Sequence, residues 1–532
     1  MYINKTLGEE DKSSSSPFIA IRVIKDLIGS RLKTQADLAS FKRKMAKKYK
    51  ILCKSNIELL KTYHKLLKNK RIKKSEILEN LLKTRPIRSL SGIVNISVLT
   101  KPYPCPGKCL YCPIEKGILK SYVSGEPAVE RAKRLNYDPY LQVKRRAEML
   151  KIEGHPTDKI ELRTVGGTWS FYPKTYQTWF VRRCLDACNE KTSKNLKEAQ
   201  EKNEKVKHKM VGLSVETRPD FINEKEIKRL RKLGVTMVEL GVQSIYDDVL
   251  KLNLRGHPVK ATILATKLLK DAGFKVLYQM MPNLAGSTLK RDEKMFEELF
   301  QNPDFQPDLL KIYPCALLRE APLYKLWKKG QYKPYNRSQL INLIAKIKKK
   351  IPYYVRIQRI TRDIPSKSII VGPAKISNLR QILADKMGKE NWRCRCIRCR
   401  EIKDQYNPKE KLYLFRQNYN ASGGKEIFLS FESKNRTKLY SLLRLRITSD
   451  NKAIIREIHT FGPVQPIDGN RISIISTQHK GMGKKLIKEA EKIVGREFGV
   501  KKIAVISGVG VRAYFRKLGY RLKNSYMTKT LL

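Results

Sequence analysis

Between residues 92 and 314 the chain repeats one alternation six times, and that alternation leaves few folds open. Six short β-branched or apolar runs (92–100, 159–167, 210–216, 235–243, 274–282 and 309–314) are separated by stretches with helical spacing. Strands joined through helices run parallel, because a tight turn cannot return the chain to the same edge in the same direction. The expected core is a partial parallel βα barrel over 91–352 within an α/β chain. Barrels of this kind gather their chemistry at the C-terminal ends of the strands. Located there are a cysteine loop after the first run, Gly166, Gly167 and Thr168 after the second, Glu216 and Arg218 after the third, and Gln243 after the fourth.

The flanking regions differ in character. Residues 1–16 read as a disordered polar tail, and 17–90 as basic amphipathic helices with Ile57, Leu60, Tyr63, Leu66 and Leu67 at helical spacing. From residue 31 to 90 there are 19 Lys/Arg against 4 Asp/Glu, within a whole-chain net charge of +61. That bias predicts a polyanion-binding module, with nucleic acid the first candidate. Residues 191–209 form a charged insertion with no assigned role. Residues 353–410 read as a connecting segment holding Cys394, Cys396 and Cys399. Residues 411–532 change to antiparallel strands, a glycine loop and a helix over 484–494, a mixed α/β domain. Six of ten cysteines fall in two tight clusters, and no secretory h-region or membrane-length apolar run is present. This predicts metal binding in a reducing, cytoplasmic setting, away from membranes.

Cys105, Cys109 and Cys112 have the spacing C-x3-C-x2-C in CPGKCLYCP. Three thiolates can hold three irons of a 4Fe-4S cluster and leave the fourth free for a cofactor. A zinc knuckle is the alternative and would need a fourth ligand nearby. Tyr111 could stack on an adenine. Glu216 could accept a ribose hydroxyl or pair with Arg218, and His257 could touch a ligand or serve the fold. Cys394, Cys396 and Cys399 offer three soft ligands for a zinc ion, or are simply reduced thiols. Cys184, Cys188, Cys53 and Cys315 read as packing residues. Gln478, Gly481, Met482, Gly483 and Lys484, between a strand and a helix, let backbone N–H groups converge on a pyrophosphate.

The first cysteine motif resembles that of radical S-adenosylmethionine enzymes, and the glycine loop resembles the coenzyme A loop of GNAT acetyltransferases. The pairing resembles the catalytic-subunit family of Elongator, through strings such as VGGTW, ETRPD, ELGVQSIYDDVL, EIHTFG and QHKGMG over residues 85–532. The resemblance implies a tRNA wobble-uridine carboxymethyl synthase of archaeal type. Its cofactors would be a 4Fe-4S cluster and S-adenosylmethionine, with acetyl-CoA as cosubstrate. It would act on the anticodon stem-loop, be reduced by a separate protein, and work as a homodimer or without other Elongator subunits. A deoxyadenosyl radical would take hydrogen from the acetyl methyl group, and the carbon would join carbon 5 of the base.

By motif, Cys105, Cys109 and Cys112 carry over as cluster ligands. Lys159, Glu457, Ile458, His459, Thr460, Met482, Gly483 and Lys484 carry over as acetyl-CoA contacts, with Gly166, Gly167, Glu216 and Gln243 assigned to the cofactor end. Tyr514 keeps a hydroxyl that Phe515 lacks, where the family has Tyr-Tyr, and Gln279 stands where His is common. Acetyl-CoA is expected close to the barrel mouth. The competing expectation is a protein-lysine acetyltransferase with a structural iron–sulfur domain and Glu457 as its base.

Overall fold

The computed structural model describes residues 17–30, 32–465 and 476–531. The expected N-terminal tail and the strand expected just before Gln478 lie outside them. The chain divides into two compact units, residues 1–89 with 146–157, and residues 90–145 with 158–532.

In the first unit, helices Pro17–Gly29, Gln35–Lys48, Asn56–Lys68 and Glu76–Leu82 surround a core of Val23, Ile24, Leu27, Leu59, Leu60, Tyr63, Leu66 and Leu82. Thr34 with Asp37, and Ser55 with Glu58, close capping boxes that start the second and third helices. The Tyr63 hydroxyl accepts the Ser75 N–H at 2.7 Å, tying the third helix to the start of the fourth. Residues 146–157 join this unit through His155, whose ring nitrogens meet Ser89 Oγ and the Thr84 carbonyl, each at 2.9 Å. Cys53, expected to pack, is instead exposed, because it lies in the loop before Asn56–Lys68.

The second unit opens with seven parallel strands hydrogen-bonded in sequence order: β1 (Val94–Leu99), β2 (Lys159–Val165), β3 (Lys209–Thr217), β4 (Met237–Gln243), β5 (Lys275–Met280), β6 (Leu309–Ile312) and β7 (Arg356–Arg359). Hydrophobicity predicts only six of these. The seventh, RIQR, is too polar to stand out and falls in the segment that reads as a connector. Alternation sets the two faces. On β2, Ile160 and Leu162 are buried on one face, while Lys159, Glu161, Arg163 and Val165 line the other, inside the half-barrel.

A mixed sheet follows: β8 (Tyr413–Ala421), β9 (Gly424–Glu432), β10 (Leu439–Ile447), β11 (Ala453–Thr460), β12 (Lys502–Val505), β13 (Arg521–Lys523) and β14 (Tyr526–Thr530), ordered β13-β14-β12-β11-β10-β9-β8. Only β11 and β12 pair in parallel. Leu443, Leu445, Ile455 and Ile503 pack with Leu486, Ala490 and Val494 of the helix Met482–Phe498. Burying each such side chain contributes about 1.5–3 kcal/mol. The terminal hairpin is absent from the sequence expectation, being short and largely exposed on β13.

The other face of the mixed sheet is charged and yet buried against the half-barrel. Arg456 makes a bidentate contact with Asp308 (2.6 and 2.8 Å) and reaches Glu426 at 2.8 Å. Arg446 bridges Glu426 at 3.0 Å and Asp271 at 2.6 Å, while Lys270 lies 3.6 Å from Asp308. Such a network adds little net stability over an apolar one, but it fixes register, and losing one partner strands a buried charge. The charged insertion over 191–209, given no role from the sequence, also joins this interface. Glu204 is buried and pairs with Arg512 at 3.3 Å and with Arg516.

Candidate active site

Two cavities occupy opposite ends of the half-barrel. The first, about 420 Å³, is walled by the N-terminal ends of its strands and by the mixed sheet. The second, about 370 Å³, lies toward the C-terminal ends beside the cysteine loop. The glycine loop, expected close to the barrel mouth, lines the first cavity, at the other end of the half-barrel from the cysteine loop. The mixed sheet docks through Arg456 and Arg444 onto Asp308, which precedes β6, and so its cavity faces the N-terminal end.

The cysteine loop is pinned by backbone contacts. Leu110 N–H donates to the Asn253 carbonyl at 3.1 Å, and Leu323 N–H donates to the Leu110 carbonyl at 2.8 Å. Cys105, Cys109 and Cys112 are free thiols. Arg255 Nη1 is 3.6 Å from Cys109 Sγ. Burial pushes the Cys109 thiol up, but the Arg255 guanidinium outweighs it and leaves the thiol below its ordinary value. Burial pushes Cys112 up to about 12. A Cβ on Gly107 would lie 2.7 Å from Arg218 Nη1, 3.5 Å from Cys109 Sγ and 3.8 Å from Cys105 Sγ, so the loop passes close over the thiols and the guanidinium. Around it Tyr111 Oη, Arg218 Nη1, Gln243 Oε1 and Arg255 Nε are buried without a hydrogen-bond partner among the described residues. Orphaned polar atoms around three thiols fit an anionic iron–sulfur cluster with a polar cofactor against it.

Deeper in this cavity Glu216 does not pair with Arg218, which bonds Asp220 at 2.8 Å. Its partner is Lys311, at 3.1 Å, and Gln279 donates to the same carboxylate at 3.0 Å. Lys311 also meets Glu239. Burial pushes the Glu216 carboxyl up, but Lys311 holds it below its ordinary value. Gly166 packs against Thr100 and Leu119 and donates its N–H to Glu216 at 3.4 Å, whereas Gly167 faces open space. Gln243 sits at φ 73°, at a bulge in β4. His257 is buried, with Nδ1 3.2 Å from the Pro258 carbonyl oxygen, and burial lowers its pKa to about 4.

The first cavity opens where two strands part. β11 and β12 pair only over residues 453–455 with 503–505, and the chain beyond diverges. Glu457, Ile458, His459 and Thr460 line one side of the opening; Gln478, Gly481, Met482, Gly483, Lys484, Tyr514 and Phe515 line the rest with Lys159. Gly481, at φ 79°, begins the helix Met482–Phe498, so unpaired N–H groups face this space. A Cβ on Gly483 would lie 3.4 Å from the Tyr514 hydroxyl. Phe515 is 2 % exposed and packs on Tyr520 in the core, which explains why its ring needs no hydroxyl. Burial lowers Lys159 to about 8. Glu457 accepts from Arg444 at 2.8 Å and Lys275 at 3.3 Å; despite burial these hold it down to about 2.

Cys394, Cys396 and Cys399 present sulfurs within 4.8 Å of one another, close enough for a single metal ion. Lys348 Nζ is 3.5 Å from Cys399 Sγ. The donor set is soft and fits zinc.

Comparison with known proteins places the chain in a family. Residues 103–299 match the Radical SAM superfamily and 307–389 the Radical_SAM C-terminal domain. The tRNA uridine(34) acetyltransferase of Methanocaldococcus infernus is 47 % identical over 486 residues, 88 % of this chain and 91 % of its own length. Elongator complex protein 3 of Homo sapiens is 41 % identical over 86 % of this chain and 87 % of its own. The chain belongs to the Elongator complex protein 3 family. A solved structure of archaeal Methanocaldococcus infernus Elp3 with an N-terminal deletion (1–46) superposes with a TM-score of 0.73 at 45 % identity, covering 83 % of this chain and all of that one. The family is one of acyltransferase enzymes, and its radical SAM domain implies a 4Fe-4S cluster and S-adenosylmethionine. Among the described residues, no helix is long and apolar enough to cross a membrane.

Arg255, Lys311 and Glu239 escape a reading of the sequence alone. Arg255 adjoins His257 in RGHP, where the imidazole draws attention away from the guanidinium. Lys311, in LLKIYP, carries a usable signal: a charge inside an apolar strand needs a buried partner.

Proposed function

We propose that this chain carboxymethylates carbon 5 of a tRNA wobble uridine, using acetyl-CoA as carbon source and S-adenosylmethionine as radical source. The observation that carries this reading is the two-ended half-barrel, with a thiol loop ringed by orphaned polar atoms at one end and a cavity made by parting strands at the other. The names of its relatives point to uridine 34 of tRNA.

Cys105, Cys109 and Cys112 would hold the cluster, with Arg218 and Arg255 balancing its charge. Gln243, Glu216 and Gly167 would meet S-adenosylmethionine. When bound, the cluster and S-adenosylmethionine supply a hydrogen-abstracting radical. Lys159, Gln478, the N–H groups at Gly481 to Lys484, and Tyr514 would hold acetyl-CoA, with Glu457 to Thr460 shaping the wall. Cys394, Cys396 and Cys399 would hold zinc beside β7. Lys-rich helices of the first unit would meet tRNA phosphates, in keeping with the +61 charge. The exposed anticodon base would be splayed into the second cavity.

A protein-lysine acetyltransferase needs a base near neutrality. Glu457, held to about 2 by Lys275 and Arg444 despite its burial, is a weak one, which disfavours that alternative. Anaerobic incubation of the reconstituted protein with tRNA, reductant, S-adenosylmethionine and acetyl-CoA, followed by nucleoside mass spectrometry, tests the proposal. 5-Carboxymethyluridine is expected. Its absence, together with acetylation of basic peptides independent of S-adenosylmethionine, would favour the alternative.

A further inference from the structure

Five consecutive strands contribute to both cavities in the same order. Ile93 before β1, Glu161 on β2, Gly212 on β3, Thr236 before β4 and Lys275 on β5 line the first cavity. Farther along the same strands, Ser97, Arg163, Glu216, Glu239 and Gln279 line the second. At about 3.3 Å per residue, the two to four residues of strand between these pairs separate the two linings by about 7–13 Å along the lumen. The cavities share the inward face of these strands, and the side chains between them decide whether they can form one passage.

What fills the passage differs from side to side. On the β4–β6 side, Met237, Leu277 and Leu309 pack together as an apolar plug. On the β1–β3 side the inward residues are Asn95, beside Glu161, and the small Ser97, Gly212 and Ser214. There the obstruction is Arg163, whose Nε and Nη2 donate to Glu161 Oε1 at 2.9 and 2.8 Å. The pair is held over the bare backbone of β3, since a Cβ on Gly212 would lie 3.5 Å from Glu161 Cγ. It is not sealed in, as the two side chains keep 22 % and 11 % of their exposure. Lys275, at the same end of the lumen, is a second cation acting on Glu161.

We propose that the Glu161–Arg163 pair is a movable partition, and that the acetyl end of acetyl-CoA passes it along the β1–β3 side to reach the second cavity. This rests on the coenzyme A reading of the first cavity. Neither residue needs to touch the reacting atoms; they act as positioning residues. Lys275 offers the Glu161 carboxylate an alternative partner when Arg163 swings away.

The test uses Ser97→Cys in the cluster-loaded protein and chloroacetyl-CoA, which carries an electrophile at the acetyl methyl carbon. If that carbon passes the partition, the new thiolate attacks it, a C–S bond forms and chloride leaves. Peptide mapping locates the adduct, calorimetry reports acetyl-CoA binding, and iodoacetamide reports whether the new thiol is open. Labelling by chloroacetyl-CoA, suppressed by excess acetyl-CoA, is the expected result, and adding Arg163→Ala is expected to speed it several-fold. Normal acetyl-CoA binding without labelling would overturn the axial route and leave the proposed function standing, whether or not iodoacetamide reaches the thiol. Labelling at an unchanged rate in the Arg163→Ala background would overturn the partition. Failure to bind acetyl-CoA at all would instead remove the coenzyme A reading itself.

Discussion

Lys159 Nζ donates to Gln478 Oε1 at 2.8 Å, joining the first residue of β2 to the loop that opens the helix Met482–Phe498. The Gln478 amide in turn donates to the Thr460 carbonyl at 3.0 Å and the Gly92 carbonyl at 3.1 Å. One amide thus ties the half-barrel to the end of β11. A ligand in this cavity meets a cation supplied by the barrel.

That cation sets a pH dependence. Burial lowers Lys159 to about 8, so its ammonium persists below that pH and is lost above it. A ligand accepting its hydrogen bond favours the protonated form, and acetyl-CoA affinity should fall as pH rises through about 8. Calorimetry across that pH range checks this, and Lys159→Met should flatten the profile while weakening binding at the acid end.

Arg456 is fully buried between Asp308 and Glu426. Arg456→Met removes the bidentate partner of Asp308 and one partner of Glu426, leaving Lys270, Arg444 and Arg446 beside them, and should cost about 3 kcal/mol. Chemical denaturation followed by circular dichroism measures it. Asp308 is held below its ordinary value because Arg456, Lys270 and Arg444 outweigh its burial. Its contribution is therefore present above the unfolded carboxyl pKa and is lost as pH falls through the folded one, so the wild-type advantage over the variant should shrink in strong acid.

Arg255 stands beside Cys109 with its Nε unpartnered among the described residues. Arg255→Met should lower iron bound per chain after anaerobic reconstitution and bleach the cluster absorption, with Arg255→Lys intermediate. Full iron loading in the Met variant would count against Arg255 as the charge-balancing group.

Lys61, Lys65 and Lys68 are carried on one helix whose opposite face is buried through Leu59, Tyr63 and Leu66. Reversing all three to Glu should leave the fold intact and weaken tRNA binding. The slope of log affinity against log salt should become shallower by about 1 for each phosphate that the variant no longer neutralises. Filter binding across salt concentrations reads it. This test is cleaner than deleting residues 1–85, because residues 146–157 belong to the same unit.

Much of the architecture is legible because hydrophobicity carries it. β1 through β6 announce themselves as apolar runs, and the helix at Met482 by its glycines. β7 stays hidden because RIQR looks like surface, and its place becomes visible only once it is paired with β6. The thiol loop can be read from spacing alone. The end of the barrel that receives the mixed sheet cannot. That depends on Arg444, Arg446 and Arg456, charges within strands that are buried against Asp308, Glu426 and Asp271. Pairing between charges far apart in the chain leaves no local periodicity. The same holds for Glu204 with Arg512, which turns an apparently idle insertion into part of the interface.

The most direct measurement supplies acetyl-CoA trideuterated at the acetyl methyl group, with S-adenosylmethionine, reductant and tRNA, and weighs the 5′-deoxyadenosine released. One deuterium gained per molecule is expected, and Cys109→Ser should abolish it. Release of 5′-deoxyadenosine without deuterium, from protein that binds acetyl-CoA and tRNA, would contradict the claim that the two ends of the half-barrel serve one reaction.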